Sequence, residues 1–114
     1  MVHPNLVRGR WGEELAAAWY ERHGYVVVAR NWRCRDGEID LVTRRGRLVV
    51  VCEVKARRTD AYGPAAAAVG VTKQRRLRRL AAAWLAATGV RGVDIRFDVV
   101  AITGNRLEVV TAAF

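Results

Sequence analysis

Apolar residues recur along this chain with two different periods, and the switches between them mark out the elements. In GRWGEELAAAWYERHG, Leu15, Ala16, Trp19 and Tyr20 return at helical spacing. That predicts a first helix over about residues 9–23, closed by Gly24. YVVVARN is a β-branched run and predicts a first strand over residues 25–31, followed by a basic loop, WRCRDG. Residues 38–44 and 47–55 read as two strands of a hairpin turning near Arg45-Gly46. ARRTDAYGPAAAAVG reads as a loop, with room for one helical turn in its alanines. Thr72 is placed to cap a second helix running to Thr88, with Gly89 after it. Leu77, Leu80, Ala81, Trp84, Leu85 and Thr88 form its inward stripe. VDIRFDVVAIT and RLEVVTA predict the last two strands, joined at Gly104-Asn105, a hairpin-type pair.

The predicted order is α-β-β-β-α-β-β. The second and third strands are apolar at both parities, so both sheet faces need a cover. That argues for an α/β layer fold with a helix on each side. The 114 residues suffice for one domain and are too few for two, so residues 1–114 read as a single domain. A hydrophobic content of 52% excludes a disordered chain. The uncharged runs, such as residues 80–90, are too short to span a bilayer. The stretch MVHPNLVRGRWGEE has no apolar signal core. Cys34 and Cys52 lack metal-site or scaffold spacing, and Cys52 is expected to pack inside a strand. A reducing, cytoplasmic setting without structural zinc is the expectation.

Four charged residues interrupt the apolar hairpin: Glu38, Asp40, Glu53 and Lys55. Alternation puts Glu38 with Asp40 on one face of their strand, and Glu53 with Lys55 on one face of theirs. A two-residue turn at Arg45-Gly46 would pair Asp40 with Val51 and Glu38 with Glu53, gathering all four on one patch. Clustered carboxylates repel and lose hydration, which raises the pKa of at least one unless a cation intervenes. Carboxylate oxygens without His or Cys suit Mg²⁺ or Mn²⁺, whose shell phosphate oxygens commonly complete. A lysine beside such an ion steadies a phosphate oxygen or helps activate water. These are the parts for metal-assisted phosphodiester hydrolysis. The plainer reading pairs Lys55 with Glu53 or Asp40 and leaves Glu38 in solvent. The chain spends 18 of its 20 cations as Arg, yet position 55 is Lys; unlike Arg, Lys acts as a compact donor or proton shuttle.

The net charge of +9 favours a polyanionic partner, nucleic acid above all. Lys73, Arg75, Arg76, Arg78 and Arg79 open the second helix. Cations there oppose the helix dipole by roughly 0.3–1 kcal/mol each when exposed, which backbone phosphate would offset. Solvation, or pairing with Asp60 or Glu21, is the alternative. Arg33, Arg35, Arg57 and Arg58 extend the track. Such contacts set affinity and salt dependence without reading sequence. Trp19 and Trp84 lie on apolar stripes and read as core, whereas Trp32, in the expected basic loop, is the candidate for stacking on bases. His3 and His23 are isolated, so no histidine base is assigned. Asp98 is expected to balance Arg96 or cap the sheet.

GRWGEELAAAWY, GEIDLV, VCEVKAR, YGPAAAAV…K and RFDVVAI occur here in the order found in the YraN-like endonuclease family, and the chain resembles that family from Gly9 to Phe114. The family is similar in its core to the PD-(D/E)XK nucleases and to archaeal Holliday-junction resolvases. The resemblance implies a mixed central sheet with αβββαβ topology. It implies that Asp40 is the metal-binding Asp, that Glu53 and Lys55 are the E-x-K pair, and that Glu13 matches the helical Glu of the pattern. Glu38 has no fixed role in the wider superfamily, and Ile39 stands where that superfamily often has Pro. The expectation is a Mg²⁺- or Mn²⁺-dependent endonuclease acting on branched, nicked or single-stranded DNA. Catalysis would fall to Glu13, Asp40, Glu53 and Lys55, and DNA binding to Lys73, Arg75, Arg76, Arg79, Arg57 and Arg33. Resolvase-like relatives act as dimers, so a homodimer is among the expectations. The alternatives are a non-catalytic nucleic-acid-binding module that keeps the fold, and an interaction subunit whose basic face meets an acidic protein.

Overall fold

A computed structural model describes residues 4–57, 63 and 69–114, those of residues 4–9 by backbone alone. Its elements are α1 (Pro4–Arg22), β1 (Val26–Cys34), β2 (Gly37–Arg45), β3 (Leu48–Arg57), α2 (Val71–Thr88), β4 (Asp94–Thr103) and β5 (Arg106–Val110). The α-β-β-β-α-β-β order is the expected one. The strands form one mixed sheet in the order β1-β2-β3-β4-β5. β3 and β4 run parallel, and the other neighbours are antiparallel. The parallel pair follows from the α2 crossover, since a short hairpin joins only antiparallel strands.

Each helix covers one face. Ala16, Ala17 and Tyr20 of α1 bury against Leu41, Val50, Cys52, Val100 and Ile102. Leu77, Leu80, Ala81 and Trp84 of α2 bury against Ile39, Val42, Val49, Val51, Phe97 and Val99. A sheet with two covered faces explains why β2 and β3 are apolar at both parities. Gly12 lets α1 approach closely: a Cβ there would lie 3.2 Å from that of Ala56 on β3. This seats the neighbouring Glu13 over the sheet.

Several boundaries differ from the pattern reading. α1 starts at Pro4, whose fixed φ suits a first helical turn. β1 runs on through Cys34, so the expected basic loop shrinks to a turn at Arg35-Asp36 and Trp32 becomes a strand residue packed against the α2-side core. β3 extends to Arg57, taking in the start of the expected long loop. The alanine turn, Arg58 and Asp60 lie outside the described residues. Thr72 does not cap α2: Gly70 does, without a side-chain bond, and Gln74 N–H donates to its carbonyl at 2.9 Å. Gly89 closes α2 in the left-handed region at φ 73°, donating to Leu85 O at 2.9 Å. Thr88 falls off the buried stripe; it is exposed and donates its hydroxyl to Trp84 O.

Candidate active site

The β2–β3 hairpin turns at Gly46-Arg47, with Arg45 opposite Leu48. The register is therefore displaced by two residues from the expected one. Continuing the Leu41↔Cys52 pairing by one residue brings Asp40, rather than Glu38, opposite Glu53. An even displacement keeps the side-chain parity, so Asp40 still meets Glu53.

Strict alternation nevertheless fails at this point. Ile39 and Val42 both pack on the α2 side, while Leu41 packs on the α1 side. Opposite this stretch on β1, Asn31 takes a positive φ of 50°. The ladder ends at Leu41↔Cys52, and beyond it Val54 N–H donates to Asp40 Oδ2 at 2.9 Å. The strands thus part where the acids emerge, and a side chain takes over one backbone donor.

Four carboxylates bear on this place from three elements. Asp40 is pushed up to about 7, by burial first and then by the Glu53 carboxylate. The Val54 N–H bond opposes that rise, while Glu13 on α1 and the neighbouring Glu38 add to it. Glu53 is buried, on the β3 face that packs towards α2. Glu38 also meets Arg33 at 3.5 Å. Among the described residues, no three His, Cys, Asp or Glu side chains form a group that could hold a metal ion by themselves.

The two lysines do not divide as the motif suggests. The ammonium that meets the carboxylate oxygen of Glu53 belongs to Lys73, in the first turn of α2. Lys55 is half-buried two residues beyond Glu53 on the same strand, and no ion pair within the described residues holds it. The pairing of Lys55 with Glu53 or Asp40, the plainer of the two sequence readings, is therefore absent there. Lys73 was assigned to the DNA track; nothing in the sequence pattern links it to Glu53, because that link depends on how α2 crosses the sheet.

A profile for the uncharacterised protein family UPF0102 matches residues 12–102. The chain belongs to the UPF0102 family. It is 47% identical over 117 residues to a UPF0102 protein of Geobacter sulfurreducens, an alignment covering 98% of the chain and 91% of that relative. It is 46% identical over 121 residues to one from Acidothermus cellulolyticus, covering 93% and 92%. Against one from Kineococcus radiotolerans it is 51% identical over 96 residues, covering 83% and 79%. The UPF0102 match spans Glu13, Asp40, Glu53, Lys55 and Lys73, so every side chain of this constellation lies inside the family's own domain.

Around the UPF0102 constellation the arginines divide. Arg75, Arg76 and Arg79 are exposed on α2. The Arg76 stem lies over Gly37 at the base of the β1–β2 turn, 3.6 Å from where a Cβ would stand, so α2 and the Arg35 turn adjoin. Arg78 lies over the rings of Phe97 and Phe114, 4.9 and 5.5 Å from their centroids. Arg57 is committed internally, donating to Thr103 Oγ1 and Gly63 O. Glu21, a suggested partner for the α2 cations, instead faces Arg30 at 3.9 Å. Trp32 is half-buried in the core, which removes it as the prominent stacking residue; Trp11 is the more exposed, at 44%. Asp98 balances Arg96, as expected: Arg96 donates to both its oxygens at 2.8 and 2.9 Å. No helix is long and apolar enough to cross a membrane, among the described residues.

Proposed function

We propose that this UPF0102 protein hydrolyses phosphodiester bonds of DNA with a divalent cation, selecting by nucleic-acid structure rather than by sequence. One observation carries the reading: the register brings Asp40 opposite Glu53 where β2 and β3 part, and burial and then the Glu53 charge raise Asp40. The donor chemistry fits a hard cation such as Mg²⁺ or Mn²⁺, because oxygen ligands of like charge are relieved by one. Asp40 and Glu53 would hold it, with Glu13 near enough to act on Asp40. Mg²⁺ commonly retains waters and takes phosphate oxygens to complete its shell. When bound, such an ion supplies charge neutralisation and a more acidic water.

The chain's own groups do the rest. Lys55, half-buried and without an ion-pair partner among the described residues, presents its ammonium to a non-bridging phosphate oxygen. Arg75, Arg76 and Arg79, with Arg33 and Arg35 across the Gly37 contact, hold backbone phosphates on either side. None of these reads a base edge, so the preference falls on shape: branched, nicked or single-stranded DNA. The resemblance to PD-(D/E)XK nucleases supports the same assignment of Asp40, Glu53 and Lys55.

The deciding experiment is a cleavage panel over duplex, single-stranded, flap and four-way DNA with Mg²⁺ or Mn²⁺. Asp40→Asn and Glu53→Gln should each lose more than the roughly 10–100-fold that follows loss of a supporting hydrogen bond. DNA binding should survive both. Cleavage by either variant at the wild-type rate would overturn the reading.

The lack of a complete protein metal cage among the described residues favours one second reading, a nucleic-acid-binding module without turnover. It predicts no metal-stimulated cleavage on any substrate, with binding that weakens steeply in salt. On either reading Arg79→Ala should reduce the slope of log affinity against log salt by about one.

A further inference from the structure

We infer that Lys73 is a positioning residue of this site: it neutralises Glu53 in the absence of a cation and gives way to one, becoming a phosphate contact when displaced. The inference rests on the divalent-cation reading above and concerns a residue that reading does not need.

Composition supplies the first argument. The chain has two lysines among its 20 cations, and both stand beside Glu53. Lys55 follows it by two residues on β3, and Lys73 reaches it from α2. An arginine would make a fixed fork to a carboxylate, whereas a lysine is a compact charge on a flexible stem and leaves more readily.

Helix electrostatics supply the second. α2 has no acid in its first turn and no side-chain cap, so the third residue of this helix is a poor place for a cation. Lys73 does not serve the helix there; the gain that holds it is Glu53. The third argument is asymmetry of exposure. The Glu53 side chain is 8% exposed and that of Lys73 is 36% exposed. Glu53 cannot turn to solvent, but Lys73 can. A cation taken up at Glu53 therefore competes with the ammonium, and the ammonium moves outward along the face that carries Arg75, Arg76 and Arg79.

Linkage then fixes the consequence. Lys73 opposes a free cation but favours one that arrives with a phosphate, because the displaced ammonium finds a new anion. By reciprocity, DNA must strengthen cation binding by the same factor that the cation strengthens DNA binding.

The test is calorimetric titration of Mn²⁺ into the full chain, with and without a short four-way DNA made with nuclease-resistant backbone linkages. The variants are Lys73→Gln, Lys73→Arg and Glu53→Gln, each checked for cooperative melting. Without DNA, Lys73→Gln should bind Mn²⁺ about tenfold more tightly than wild type, within the range typical of coupled sites. DNA should tighten Mn²⁺ binding to wild type by a similar factor, and Lys73→Gln should lose most of that gain. Lys73→Arg, which keeps the charge, should bind Mn²⁺ weakly without DNA; if Lys73→Gln melts abnormally, tight binding by Lys73→Arg overturns the inference instead. Wild-type uptake that Glu53→Gln abolishes, with Lys73→Gln no tighter than wild type, overturns the role of Lys73 and leaves the cation reading standing. No uptake by wild type with DNA present, or uptake indifferent to Glu53→Gln, overturns both.

Discussion

Asp98 and Asp40 lie on central strands of one sheet, and they are opposite solutions to burying a carboxylate. Asp98 is enclosed, and three residues donate hydrogen bonds to it. Arg96 bridges both its oxygens, Tyr20 donates at 2.7 Å and Ala112 N–H at 3.0 Å. Arg96 is raised above its ordinary value, chiefly by these bonds to Asp98. Tyr20 is raised as well, first by burial and then by its charged surroundings. Asp40 has one backbone donor and three carboxylates around it. Burial of charge is common to both places, so burial does not mark function. What differs is the counter-charge: Asp98 has Arg96, whereas among the described residues no cation is paired with Asp40.

The largest expected effect tests the satisfied end. Removing one partner of a buried ion pair strands the other. Asp98→Ala should cost about 3 kcal/mol of stability or more, read as a lowered urea midpoint, because Arg96 and Tyr20 lose their common acceptor. Asp40→Asn should fall within about 1 kcal/mol of wild type, since it removes repulsion along with the charge. Equal losses from the two substitutions would erase the distinction between them.

A smaller effect sharpens it through pH. The Asp40 carboxyl titrates near 7 in the folded chain, above the ordinary carboxylate range, because burial and Glu53 favour its protonated form. The folded state therefore holds this proton more tightly than the unfolded state does. The resulting stability is full below the ordinary carboxylate pKa, about 4, and is lost as pH rises through about 7. Wild type should lose stability relative to Asp40→Asn between pH 4 and 8, measured as the difference in urea midpoints. A difference that stays flat across this window, or grows in favour of wild type, would contradict an Asp40 raised by burial and by Glu53. At pH 8, Mn²⁺ at ten times its dissociation constant should add about 1.4 kcal/mol, and chelation should remove it.

Most of the fold was legible because periodicity reports burial directly. The stripe Leu77, Leu80, Ala81, Trp84 and the two-parity strands named both layers and the element order. Composition was a poor guide to loops: WRC carries the cation Arg33 yet continues β1, since alternate residues Trp32 and Cys34 pack inward. Asp40 and Glu53 were legible as a pair because register parity survives an even displacement, even though the turn lies one residue later than expected. The break in alternation across Asp40 and Leu41 had no sequence signal, as it depends on the β1 strand at Asn31. Lys73 and Tyr20 were named, but not for the acids they meet, and for a common reason. Each meets an acid far along the chain, and only the packing of a helix on the sheet brings the two together.

Thr43 supplies a third kind of buried polar group, neither charged nor satisfied, and so sets the scale between the other two. It is fully buried opposite Val50, and its Oγ1 finds no partner among the described residues. An unmatched buried hydroxyl costs about 1–3 kcal/mol, and valine has nearly the same shape. Thr43→Val should therefore raise stability by about 1 kcal/mol, seen as a higher urea midpoint with an unchanged slope. Thr43 has no exposed surface to offer nucleic acid, so DNA binding should not move. A neutral result would mean that an unpaired polar group is tolerated in this sheet at little penalty. The penalty at Asp40 would then come from burying a charge, first by desolvation and then beside Glu53, so Glu53→Gln should flatten part of the pH dependence that Asp40→Asn removes whole.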